Sequence, residues 1–269
     1  MHIFRQALRK FVVDGGPFMA SGLAFDLLLC FIPLSLLMVS ALGYIIGGGD
    51  RALSEVQRIF GRVLPFSHNV ITDGLAGIVA NRGVIGLLGL GLLALLGSAI
   101  FGSTRLVLNR AFAVDTEGSF IRGKFHDLIT LFGTSILLVV VIALESFMTF
   151  LREFGERFSG LGSILQPGWL LAGRVLSFLF VMGFFYLLYR LSPVTSLSRA
   201  SLRIGAFAGA ILFELSKWGF TIYVSFAEQL PVFYGTVGSL LFFFLWLYYS
   251  CAVFILGAEI AWVHDSRSG

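Results

Sequence analysis

Residues 237–263 read VGSLLFFFLWLYYSCAVFILGAEIAWV, an apolar run in which Glu259 is the one charged residue. About 20 apolar residues in a helix are enough to cross the roughly 30 Å hydrocarbon layer of a bilayer, so this stretch is read as a transmembrane helix. Working outward from it, comparable runs cover residues 18–46, 84–107, 128–150, 169–189 and 204–226. The chain is therefore expected to be an all-α, polytopic integral membrane protein with six spans. Composition points the same way: 57% of the 269 residues are hydrophobic, 13% are charged and the mean hydropathy is +0.92, whereas a soluble domain carries about 25% charged residues. Residues 1–269 are read as a single membrane domain.

The connectors carry their own pattern. In residues 1–17, Ile3, Phe4, Ala7, Leu8, Phe11 and Val12 recur at helical spacing with Arg5, Arg9 and Lys10 between them, which predicts a basic amphipathic helix on the cytoplasmic membrane surface. Asp14-Gly15-Gly16-Pro17 ends it. Residues 50–82 are polar enough to leave the bilayer yet hold Leu53, Val56, Ile59 and Val63 on one helical face, then Val70, Ile71, Leu75 and Ile78 on another, so two short interfacial helices parted at Pro65 are expected. Phe154, Phe158, Leu161 and Leu165 predict a further surface helix over 152–165.

Lys and Arg set the orientation, because cytoplasmic connectors carry the excess of positive charge. Arg5, Arg9, Lys10, Arg105, Arg110, Arg122, Lys124, Arg190, Arg199, Arg203 and Arg267 fall on one side; Arg51, Arg58, Arg62, Arg82, Arg152 and Arg157 fall on the other. Both termini are thus expected in the cytoplasm. The +4 formal charge is scattered over short connectors, which argues against a nucleic-acid partner. Cys30 and Cys251 lie inside apolar runs, so neither a disulfide framework nor a thiolate metal site is expected. The run after Pro17 is too long for a signal-peptide core, and no removed leader is expected.

The last third of the chain carries a resemblance. Tyr234-Gly235-Thr236-Val237-Gly238-Ser239, then Leu245-Trp246-Leu247-Tyr248, then Leu256-Gly257-Ala258-Glu259-Ile260 is similar to the closing signature of the YihY/virulence-factor BrkB family of bacterial inner-membrane proteins. Ala24-Phe25 with Phe31-Ile32-Pro33-Leu34 resembles the family's opening helix, and Leu191-Ser192-Pro193 ahead of Gly205-Ala206 resembles its entry into span five. The resemblance implies six spans, cytoplasmic termini and a plasma-membrane location, and little about chemistry. The chain departs from the family's pattern at Ala261-Trp262, where a polar residue such as Asn is expected soon after the Glu.

Ionisable residues inside the spans are the functional candidates, since each costs at least about 2.5–3.5 kcal/mol to insert. Glu214 and Lys217 stand three apart near the middle of span five, on one helical face; they either line a polar cavity for a proton, ion or lipid headgroup or form a neutralised packing pair. Glu145 of span three and Arg174 of span four lie at similar depth and are expected to tie neighbouring helices. Asp26 precedes Pro33, which kinks the helix and frees the carbonyl of Leu29; the carboxylate beside the opened helix is either an ion or proton site or the neighbour of an ordinary membrane-helix kink. Glu259, near the inner end of span six, either reaches the interface or caps a cytoplasmic salt bridge. Gly205 and Gly209 form a GxxxG, and Ala94, Ser98 and Gly102 recur every four, both patterns that let helices approach closely.

Transport or translocation of a small solute, an ion or a lipid or envelope precursor through a polar intramembrane cavity follows as the first functional expectation. A non-transporting organiser of other envelope proteins is the alternative. Membrane lipids are the expected partners, with no cofactor and no metal. Ribonuclease activity, a label attached to the family, needs clustered metal ligands, and His2, His68, His126 and His264 are far apart; no enzyme is expected.

Overall fold

The computed structural model describes residues 2–45, 82–114, 162–194, 197–227 and 235–268. They form six helices: α1 His2–Val13, α2 Gly16–Ile45, α3 Arg82–Ala111, α4 Gly162–Leu191, α5 Arg199–Ala227 and α6 Gly235–Ser268. No strand occurs among the described residues. The expected span at 128–150 lies outside them, as do the interfacial helices of 50–81. Of the surface helix expected over 152–165, residues 152–161 also lie outside the described residues, and 162–165 belong to α4, which runs unbroken from Gly162. Pro167, the sixth residue of α4, removes one backbone hydrogen bond, the one to the Ser163 carbonyl, without ending the helix.

Three described helices are long and apolar enough to cross a membrane, Gly86–Ala111, Leu171–Leu191 and Leu241–Ser268; a fourth span is reached if Ile3–Val13 and Gly16–Phe31, bent by 71°, are taken as one. Helix α5, at 29 residues, is about 43 Å long, but Glu214 and Lys217 interrupt its centre and it is not among the three. Helix α6 has 34 residues, roughly 51 Å, which exceeds the hydrocarbon thickness by several turns.

The helix ends follow local chemistry. Helix α1 stops where Gly15 takes φ +76°, a left-handed conformation glycine adopts without penalty. Gly16 follows because a Cβ there would lie 2.2 Å from the Phe11 ring. Ser198 caps α5 by accepting a hydrogen bond from the Ser201 N–H at 3.3 Å, while its own N–H donates to Asp265 Oδ1 at 3.1 Å. Asn109 Oδ1, near the end of α3, accepts from the Val194 N–H at 2.9 Å beyond α4.

The described residues divide into two compact units: one takes those up to Ala20, from Phe101 to Gly219 and from Ser250 on; the other takes Ser21–Ile100 and Phe220–Tyr249. In the first, α5 and α6 approach almost backbone to backbone. A Cβ on Gly205 would lie 2.6 Å from both the Ala261 Cβ and the Gly257 carbonyl oxygen, and one on Gly209 2.9 Å from the Phe185 ring. Tyr189 of α4 is fully buried and donates its hydroxyl to the Phe254 carbonyl at 2.5 Å, with Phe185 and Phe254 stacked against it. In the second unit, Gly86 and Gly89 of α3 lie against Ser40 and Leu37 of α2, and Phe31 meets Phe243 at 5.2 Å between ring centroids.

Candidate functional site

Helix α1 brings Ile3, Ala7, Lys10 and, just past its end, Asp14 to one side, since residues three or four apart share a helical face. That side packs on α6: Ala7 is buried with Ile260 and Val263, and Ile3 and Trp262 flank them. Lys10 is the charge on this apolar face. Its Nζ donates to Asp14 Oδ2 at 2.6 Å and to the Ala111 carbonyl at the end of α3 at 2.8 Å, and lies 2.7 Å from Glu259 Oε2. The Trp262 ring centroid is 4.6 Å away, a cation–π distance. The ammonium thus sits in a socket of two carboxylates, a carbonyl and an indole.

Glu259 is fully buried, its side chain 0% exposed. Its Oε2 meets the Lys10 ammonium at 2.7 Å, a charge-assisted contact, and its Oε1 has no hydrogen-bond partner among the described residues. A buried carboxylate without a counter-charge is strongly destabilising; the lysine on α1 supplies that charge to α6.

A second polar place lies halfway along α5. Glu214 Oε1 is 2.6 Å from Lys217 Nζ, and the side chains remain 37% and 34% exposed. Lys217 Nζ is 3.5 Å from Ser177 Oγ on α4 and 5.6 Å from the Phe213 ring centroid. Glu214 stands 15 residues after Arg199, and Lys217 ten before Ala227; at 1.5 Å per residue these are roughly 22 and 15 Å from the two helix ends.

The other candidates are dispersed. Asp26 is half-buried on α2, one turn before Cys30. Arg174 is exposed on α4, and Glu145 lies outside the described residues. Pro33 is buried inside α2. On α3, Ala94 is exposed while Ser98 and Gly102 are half-buried. No group of three or more His, Cys, Asp or Glu with metal-binding geometry occurs among the described residues. The sequence reading assigned Lys10 to topology and Asp14 to helix breaking; the missed signal is the spacing 3-7-10-14, which puts a lysine and an aspartate on an apolar stripe.

Long apolar helices with charges paired at one end and at mid-length define an α-helical, polytopic membrane protein. The chain belongs to the Virulence factor BrkB family, whose pattern it matches over residues 7–269. It is 28% identical over 241 residues to a UPF0761 membrane protein of Pseudoalteromonas translucida, covering 90% of this chain and 78% of the relative. A UPF0761 membrane protein of Aeromonas salmonicida is 30% identical over 206 residues, 76% of this chain and 68% of its own. A Bacillus subtilis protein named as ribonuclease-like is 24% identical over 262 residues, 97% and 94% of the two chains. No solved structure matches.

Proposed function

We propose that this protein is a six-span protein of the bacterial inner membrane with both termini in the cytoplasm, and that it moves a small solute, an ion or a lipid or envelope precursor along a polar path on α4 and α5. The observation that carries this reading is the Glu214–Lys217 pair beside Ser177, about a third exposed at mid-helix. Exposure to hydrocarbon at that depth is costly even for a paired charge. Exposure to a polar path is not, and it supplies a negative group, a positive group and a hydroxyl to a passing headgroup or ion.

The reading is non-enzymatic. Two of the relatives above are named simply as membrane proteins. The ribonuclease-like name of the Bacillus relative brings with it no ligand cluster that the His spacing of this chain supports. The organiser alternative draws on small-residue faces, but in the first unit Gly205 and Gly209 already receive α6 and Phe185.

Proteoliposomes holding the full-length protein test the proposal, with flux followed for a fluorescent phospholipid and for protons or alkali cations. Wild type is expected to support at least one flux, and Glu214→Gln and Lys217→Met to reduce it tenfold or more, about 1.4 kcal/mol in the barrier. Full flux in both variants, or none in wild type for any probe, contradicts it.

A further inference from the structure

Helix α1 carries two apolar faces where a surface helix needs one. Ala7 and Phe11, with Ile3, are turned toward the protein, Ala7 and Ile3 against α6. About 100° around the helix, Phe4, Leu8 and Val12 form a second stripe, 47%, 44% and 62% exposed. Arg5 and Arg9 follow directly on the next face, and both are exposed. Packing against α6 does not use this stripe.

Among the described residues the exposed charge around it is positive. Contacts from Lys10 to Ala111, Asn109 to Val194 and Ser198 to Asp265 bring one end of each of α3, α4, α5 and α6 together beside α1. That end also exposes Arg110, Arg190, Arg199 and Arg203. Of the acidic groups there among the described residues, Asp14 and Glu259 contact Lys10, and Asp265 is bonded to the start of α5.

We propose that the outer face of α1 is a binding surface for anionic phospholipid: Phe4, Leu8 and Val12 enter the acyl boundary, and Arg5 and Arg9 hold the headgroup phosphodiesters. Guanidinium groups match phosphate oxygens in a bidentate fashion, and a helix with apolar residues beside arginines lies at that depth. The Lys10–Glu259 contact fixes the rotation of α1 so that this face meets the lipid. The inference rests on the membrane location proposed above and not on transport.

The test uses the full-length protein with Cys30 and Cys251 changed to Ala and a fluorophore on Leu8→Cys, in nanodiscs of phosphatidylcholine with or without phosphatidylglycerol. Phosphatidylglycerol is expected to protect the fluorophore from a water-soluble quencher, and Arg5→Gln with Arg9→Gln to abolish that protection while the thermal midpoint stays unchanged. Equal quenching of the labelled parent in the two bilayers overturns the proposal whether or not the arginine variant folds. So does protection that needs an added soluble protein fraction, or that persists at full strength in both bilayers because a second copy covers the helix. None of these readouts uses flux, so the transport reading stands or falls separately.

Discussion

Lys10 is shared among Asp14, the Ala111 carbonyl and Glu259, whereas Glu259 has Lys10 as its one cation among the described residues. Removing the two partners therefore has unequal consequences. Lys10→Met strands a buried carboxylate, a loss of about 3–5 kcal/mol by analogy with other buried pairs. Glu259→Gln leaves Lys10 with two acceptors and is expected to cost less. Thermal unfolding in detergent checks the order: the lysine variant lowest, the glutamine variant intermediate, and the double variant above the lysine variant. Equal midpoints for Lys10→Met and wild type would show that the socket contributes nothing. At this scale the sequence was legible where two charges share a helix, as Glu214 and Lys217 do, and illegible where a charge answers one 249 positions away, as Lys10 answers Glu259. Helical spacing marks which face a lysine occupies but not which distant helix that face meets.

The helices themselves were legible from long apolar runs, but their ends were not, because hydropathy marks where lipid stops and a helix continues until a cap or a glycine ends it. Helix α6 extends past Val263 to Ser268, and α4 begins at Gly162. The GxxxG spacing marked a close approach without naming its partner; Ala261 and Gly257 meet Gly205. A graded glycine series tests that contact. Gly205→Ala forces a Cβ against backbone and is expected to cost about 1–3 kcal/mol, the range for overpacking. Gly209→Ala meets the edge of the Phe185 ring and should cost less, while Gly219→Ala, with nothing within 4 Å of its Cβ, should be neutral or slightly stabilising. Any other order of thermal midpoints removes α5–α6 packing as the reason for the glycines.

Over the whole molecule, composition separated a membrane protein from a soluble one before any residue was placed, and the distribution of Lys and Arg supplies a proposed orientation with cytoplasmic termini. If that orientation is right, Ser67→Cys reacts with an impermeant maleimide added outside intact spheroplasts; reaction only after lysis reverses the topology. What composition leaves illegible is whether a half-exposed charge faces lipid or water, because both are outside the packed core. Ser177 lies beside Lys217, whereas Leu179 on the same helix is an exposed apolar residue. The most direct measurement is therefore thiol labelling in intact membranes, with Cys30 and Cys251 replaced by Ala, of Ser177→Cys against Leu179→Cys using a small water-soluble reagent. The polar-path account predicts that position 177 reacts and position 179 does not; an inert Ser177→Cys, or equal reaction at both, contradicts it.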